Sequence, residues 1–473
     1  MRHKIFKYLF LPFFLVPALT GFAQYTVLHN FNWANTNGFE PTGSITISGN
    51  LLYGATSGGG AYLAGTVFSM QTDGSNFSIL HSFGAGSDGY SPDGSLTLSG
   101  NMLYGVTWSG GLYHVGNIFS VQTDGGNYTI MHSFNDTDGT SPYLNSLLLF
   151  GNTLYGMTPL GGLYGPYGFG VIFSINTNGS NYTVLHNFGI DGSYPCGSLI
   201  LSGDTLYGMT YGGGVNDYGV IFSVQTNGSN YSPLHSFDSI HGGHPYGSLV
   251  ISGSTLYGMT YMGGTSNDGV IFSVQNNGAN YTVLHSFNGF DGANPHGSLT
   301  LTGGMLYGMT SKGGNGDSGV IFRVKTDGSN YEVLYNFEVD DNGLLPYGDV
   351  AFSNNVLYGM THRGGTNVLY GVIFKDSIFD AGVQEINNNA SNEVKVYPNP
   401  SSGIFTIQVS PSPLREGTMT AEVYNMLGEK VYSNNFTGTQ IQFDLTGRPN
   451  GLYIYKVVNS DGNSAEGKLI NQH

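Results

Sequence analysis

Six histidines recur at one position of a repeated Leu/Met-His-Ser/Asn-Phe motif: His29, His81, His132, His186, His235 and His285, with Tyr335 in the seventh place. Imidazole is the commonest protein metal ligand, so a ring of six could hold an ion. The histidines are roughly fifty residues apart, however, so each belongs to a separate copy of one unit, on a strand expected at its outer edge. A site needs each residue once, whereas a residue present in every copy serves the copy, so these histidines read as structural. The Asp-Gly pairs at Asp88, Asp138, Asp191 and Asp291 could bind calcium, yet none sits in a twelve-residue acidic loop. They read as turn formers. Cys196 stands alone in a loop and reads as an inert thiol. No Gly-rich phosphate cradle precedes a helix, so the sequence assigns no catalytic residue, metal ligand or cofactor.

Positions that vary between copies carry more information. The residue after Thr in Leu-Tyr-Gly-x-Thr is Ser57, Trp108, Pro159, Tyr211, Tyr261, Ser311 and His362 in turn. The residue after the loop proline is Thr42, Asp93, Tyr143, Cys196, Tyr246, His296 and Tyr347. Trp108, Tyr143, Tyr211, Tyr246, Tyr261, His296, Tyr347 and His362 are therefore the candidate ligand-binding residues, a set of aromatics on loops of a fixed scaffold. Aromatic platforms with few charges suit sugars or neutral polymers. Capping of the blade ends is the other use for such rings. Glycoside hydrolysis would need two carboxylates about 5–10 Å apart. Glu40, Asp93 and the Asp340-Asp341 pair are non-repeated acids near the same loops, but nothing in the sequence pairs them.

The elements that must position these residues are set by the repeat. The Leu-Tyr-Gly tyrosines Tyr53, Tyr104, Tyr155, Tyr207, Tyr257, Tyr307 and Tyr358 fall at intervals of 51, 51, 52, 50, 50 and 51. Each unit holds four strand-like runs. In the second copy they are residues 94–98, 102–107, 116–121 and 128–134. Asp-Gly between the last two is a hairpin signal. Four antiparallel strands per unit make a propeller blade. The chain opens on a fourth-type strand, Tyr25 to Phe31, with no third strand before it. It ends the array on a third-type strand, Gly371 to Lys375, with no fourth after it. Pairing of these two would close a ring of seven blades and remove its exposed edges; the weaker alternative is an open β-solenoid. Pro233 lies within a fourth strand, which places that strand at the blade edge and the glycine-led first strand at the central channel. The predicted fold is all-β, a seven-bladed β-propeller over residues 24–375.

Composition agrees. Of 473 residues, 75 are Gly and 14% aromatic, while only 9% are charged. That suits short strands and tight turns rather than disorder. A net charge of −16 argues against a nucleic-acid partner. A single cysteine excludes an intrachain disulfide. Arg2, Lys4 and Lys7, an apolar run from Tyr8 to Ala18, and Gly21-Phe22-Ala23 predict a signal peptide over residues 1–23. Pro12 and Pro17 interrupt that run, and no transmembrane segment is predicted.

Two resemblances follow from these motifs. Pro-x-Gly-Ser-Leu, Leu-Tyr-Gly-Met-Thr, Gly-Val-Ile-Phe-Ser-Val and Asp-Gly-Ser-Asn-Tyr, over about Tyr25 to Lys375, resemble the GloVer tandem repeats of bacterial surface and secreted proteins, and loosely resemble kelch blades. That likeness implies no common reaction. After a polar linker over residues 376–394, the tail shows Val396-Tyr397-Pro398-Asn399-Pro400, Val423-Tyr424-Asn425-Met426-Leu427-Gly428, Gly451-Leu452-Tyr453 and Lys468-Leu469-Ile470. Residues 395–473 thus resemble the C-terminal sorting domain of the type IX secretion system. This implies a small Ig-like β-sandwich, the type IX machinery as partner, and a secreted or surface-attached product. The expectation for the whole chain is a binding or adhesion propeller for a glycan or surface polymer. The alternatives are an extracellular glycoside hydrolase or lyase, and a purely structural surface protein.

Overall fold

The computed structural model of the protein describes residues 24–33, 37–84, 87–143, 145–338, 342–366, 369–378, 394–397, 401–409, 418–425, 429–449, 451–459 and 464–471. The expected signal peptide, the Asp340-Asp341 pair and most of the 376–394 linker lie outside these residues. Two compact units divide the chain, one being Phe22–Ile378 and the other containing Phe379–His473.

In the larger unit seven four-stranded antiparallel sheets are present among the described residues, and in six of them the strands of one repeat pair in chain order. Blades are numbered here by their Leu-Tyr-Gly tyrosines, Tyr53 to Tyr358. Blade 2 is Thr97–Ser99, Met102–Thr107, Asn117–Gln122 and Thr129–Ser133. Blade 7 takes Ala351–Ser353, Val356–Thr361 and Val372–Ser377 from the end of the array and its fourth strand, Gln24–Asn30, from the start. Thr26 lies opposite Lys375 and Val27 opposite Phe374. The ring is closed by main-chain hydrogen bonds, as the strand count predicts. The last third-type strand runs two residues past Lys375, to Ser377.

The core lies between blades. Tyr155, Met157, Ile172 and Phe188 of blade 3 meet Leu199, Leu206, Val220, Phe222 and Val224 of blade 4. Phe31, Tyr358, Met360 and Ile373 of blade 7 meet Ile45, Leu52, Phe68 and Met70 of blade 1 in the same way. Both faces of a blade are therefore apolar. Leu-Tyr-Gly follows from this packing. Its Leu is buried, its Tyr enters the next interface, and its Gly lies under the third-strand Phe. A Cβ on Gly54, Gly105, Gly156, Gly208, Gly258, Gly308 or Gly359 would strike the ring Cζ of that Phe. The structure also accounts for the recurrent histidines. Each stacks on a ring of the following blade, as in His81–Tyr128 (3.8 Å, 2°) and His285–Tyr331 (3.7 Å, 3°). His29 on Phe77 and Tyr335 on Tyr25 carry the pattern across the closure (3.9 and 4.0 Å). The Asp-Gly aspartates join this lock: Asp138 Oδ2 sits 3.1 Å from His132 Nε2, and the Asp138 carbonyl accepts from the Tyr182 hydroxyl (2.6 Å).

The first strand of the blade also starts later than expected. The first strand of blade 2 starts its ladder at Thr97, not Gly94. The reason is lateral bonding around the axis. The Ser44 N–H donates to Ser95 Oγ (2.8 Å), Ser95 to Ser146 (2.9 Å), Ser198 to Ser248 and Ser248 to Ser298 (both 2.7 Å). Ser298 donates to Asp349 Oδ1, and the Asp349 N–H returns to Ser44 Oγ at 2.7 Å. That last bond spans 305 positions and joins blade 7 to blade 1 beside the axis, as the main-chain ladder joins the terminal strands.

In the C-terminal unit, Val394–Tyr397, Ile404–Val409 and Gln440–Asp444 form one sheet. Met419–Tyr424, Lys430–Phe436, Gly451–Val458 and Ser464–Asn471 form the other. Alternate residues Phe405, Ile407 and Val409 share one core with Ala421, Val423, Tyr455 and Val457. This is a two-sheet sandwich.

Candidate functional site

The two variable connections of each blade lie on one face and are tied together. Bridges join Gly243 to Met262, Ala293 to Lys312 and Leu344 to Arg363. The residue before each loop proline is left-handed in all seven copies: Glu40, Ser91, Ser141, Tyr194, His244, Asn294 and Leu345 have φ between 50° and 56°. Such a conformation is costly for non-glycine residues and must be held by its surroundings. Here the carbonyl of the strained residue accepts from the neighbouring loop, as Trp108 N–H to Ser91 (2.9 Å) and His362 N–H to Leu345 (3.1 Å) show. The kink directs the residue after proline toward the axis.

Six of the eight candidate residues become neighbours in blades 4 to 7. Tyr211 meets Tyr246 with ring centroids 5.0 Å apart; Tyr246 meets Tyr261 at 5.3 Å and His296 at 4.6 Å. His296 continues to Tyr347 (4.6 Å), and Tyr347 to His362 (4.8 Å). All six are half-buried, so each ring keeps a face or edge open. His244, which sequence reasoning missed, extends the arc beside Tyr211 (4.5 Å). Burial holds both His296 and His362 down to about 4, aided respectively by Lys312 and Arg363. Both imidazoles are therefore neutral at ordinary pH, and the Nδ1 of His296 is buried with no hydrogen-bond partner among the described residues. The arc borders a small central pocket lined by Tyr246, His296, Tyr347, Asp93 and the axial serines.

Among the described residues the other two candidates make no ring contact with this arc, although the Tyr143 phenol is close enough to act on Tyr246. Trp108, on blade 2, is 44% exposed. Tyr143, on the loop leading into blade 3, has its phenol pushed up to about 12 by burial and then by Asp93, with smaller effects from Tyr347 and Cys196. Asp93 is buried and raised to about 7 by desolvation, although Thr42 Oγ1 donates to its Oδ1 at 3.3 Å. Glu40 lies 4.0 Å from Arg363. Burial pushes the Cys196 thiol up to about 12, which leaves it un-ionised and a poor nucleophile. Among the described residues no three His, Cys, Asp or Glu side chains are grouped to hold a metal. A second aromatic surface also escaped the sequence reading. Tyr62, Tyr113 and Tyr167, in the second-to-third-strand loops of blades 1 to 3, are 68%, 54% and 89% exposed. Their signal was a Tyr two residues after Gly-Gly (Tyr62, Tyr113 and Tyr164), which occurs in these copies only.

Fold and termini define a repeat propeller joined to an export module, and comparison with known proteins agrees. The Gloeobacter/Verrucomicrobia repeat model matches residues 15–188, 146–314 and 212–405, and the chain belongs to that family. The secretion system C-terminal sorting domain model matches residues 395–472. That tail marks the protein for type IX export and a secreted or cell-surface location. An endo-acting ulvan lyase of Formosa agariphila is 26% identical over 112 residues, which are 24% of this chain and 21% of that protein. The match thus spans about a fifth of that relative. Among solved structures, the extracellular domain of a one-component system of B. thetaiotaomicron is similar at 11% identity and TM-score 0.45, over 92% of this chain and 57% of that one. A subtype N11 neuraminidase-like protein of A/flat-faced bat/Peru is similar at 10% identity and TM-score 0.36, over 77% and 95%. No described helix is long and apolar enough to cross a membrane.

Proposed function

We propose that the protein is a non-enzymatic binding propeller that retains an extracellular glycan or surface polymer on the aromatic arc at the channel mouth. The observation that carries this reading is the contiguous run Tyr211–Tyr246–His296–Tyr347–His362 with Tyr261, half-open to solvent, at centroid spacings of 4.6–5.0 Å along the run. Flat rings of this kind cover the apolar faces of a sugar, while phenol and imidazole edges bond its hydroxyls. Tyrosine provides that area with little side-chain entropy to lose. A lyase or hydrolase is the second reading. It draws on Asp93, whose carboxyl is raised to about 7 beside Tyr143, and on the short ulvan lyase match.

The test is a polysaccharide array, ulvan included, read once for retention and once for new chain ends. Retention without new ends is expected. Tyr246→Ala with Tyr347→Ala should lower retention at least about tenfold, the equivalent of about 1.4 kcal/mol, while circular dichroism stays native. New chain ends that disappear in Asp93→Asn would establish the enzyme reading instead. Undiminished retention by the double variant would place the site elsewhere.

A further inference from the structure

Between the leader region and residue 311 the chain contains no Lys or Arg at all. The propeller then carries five, Lys312, Arg323, Lys325, Arg363 and Lys375. Two of them, Lys312 and Arg363, occupy the same repeat position, second after the Thr of Leu-Tyr-Gly-Met-Thr, in the adjacent blades 6 and 7. The other copies have Gly58, Ser109, Leu160, Gly212 and Met262 there. The position belongs to the mouth-facing loops, because Lys312 bridges Ala293 and Arg363 bridges Leu344, each just ahead of a loop proline. Both cations act on arc residues: Lys312 on His296, and Arg363 on His362 and Tyr347. Lys312 is exposed, and Arg363 is 46% exposed with Glu40 at 4.0 Å, the outer limit of an ion pair. A guanidinium has five donors, so Glu40 orients the group without occupying it.

Resting on the reading of the arc as a glycan platform, we infer that its blade 6–7 end is an anion subsite, and that the polymer retained is acidic, bearing a carboxylate or sulfate on a sugar ring stacked on the tyrosines. The geometry pairs a flat apolar wall with two cations at one end, which is what a charged sugar presents: an apolar ring face and one anionic substituent. Arginine matches a carboxylate or sulfate through two parallel donors. The chain's net charge of −16 does not oppose this at working salt, because charges beyond about 8 Å are screened at 0.15 M ionic strength. A surface cation placed only for solubility would have no reason to recur at one repeat position, on one face, beside these rings.

Matched polymers test the subsite. Polygalacturonate and its methyl ester share a backbone and differ in charge, as do dextran sulfate and dextran. In affinity electrophoresis with the mature full-length protein, the charged member of at least one pair should be retained at least about tenfold more strongly than its neutral partner. That preference should fall as salt rises from 0.05 to about 0.5 M. The pair that discriminates tells carboxylate from sulfate. In Lys312→Gln/Arg363→Gln the preference should vanish while retention of any neutral polymer is unchanged. Equal retention of charged and neutral members, or a preference that survives the double substitution, overturns the subsite but leaves the aromatic platform standing. Retention that depends on neither charge nor Tyr246 and Tyr347 overturns the platform itself.

Discussion

Replacing Asp376 with Val should stabilise the propeller strongly at pH 8 and much less at pH 4. Asp376 lies in the third strand of blade 7, where the other copies have Met70, Val121, Ile175, Val224, Val274 and Val324, all core residues. Its side chain is fully buried, and neither carboxylate oxygen has a hydrogen-bond partner among the described residues. Desolvation raises it from 3.8 to about 7. A raised acid contributes no penalty below its unfolded value; the folded protein then loses stability as pH rises to the folded value, because the unfolded chain releases the proton first. About three pH units at roughly 1.4 kcal/mol each give about 4 kcal/mol lost between pH 4 and pH 7. Asp376→Val removes that slope, and the repeat itself supplies the fitting side chain. Denaturant unfolding of both proteins at pH 4 and pH 8 measures it. The depressed histidines, such as His29 at about 4, titrate in both proteins and cancel in the difference. A pH-independent difference would mean that the carboxyl is solvated in the folded state.

Phe31→Ala should cost about 3–5 kcal/mol, the range for emptying a large aromatic core site, although Phe31 lies only eight residues into the described chain. The ring is 1% exposed and packs between blades 7 and 1, edge-on to Phe68 at 5.6 Å. Phe188 is its counterpart in mid-array, 1% exposed and 5.3 Å from Phe222. In a closed ring the two sites are equivalent, so Phe31→Ala and Phe188→Ala should agree within about 1 kcal/mol. In an open array the terminal strand would fray and Phe31 would cost little. Chemical denaturation of the two variants beside the parent distinguishes these outcomes.

Ring closure was legible in the sequence because it is a counting result. A fourth-type strand at Tyr25 without a third, and a third at Lys375 without a fourth, have one economical partner each. The edge position of Pro233 and the single face of the variable loops were legible for the same reason: strand order fixes both. The His–Tyr lock was not, since His81 and Tyr128 are 47 positions apart and meet only when blades stack. The left-handed residues before the loop prolines were hidden too. Glu40, Ser91 and Leu345 share no side-chain chemistry, and the conformation is imposed by hydrogen bonds from the adjacent loop. For the site, type and face were readable but adjacency was not. Tyr246, His296 and Tyr347 touch because neighbouring blades bring them round one axis, whereas Trp108 and Tyr143, on blades 2 and 3, make no ring contact with that run.

The most direct test of the mouth as a recognition surface is hydroxyl-radical footprinting of the protein with and without a polysaccharide that the array shows it retains. The account predicts protection of Tyr246, Tyr261, His296 and Tyr347, with Tyr62, Tyr113 and Tyr167 unchanged. Protection of those exposed loop tyrosines, with the arc labelled as in the free protein, would contradict it.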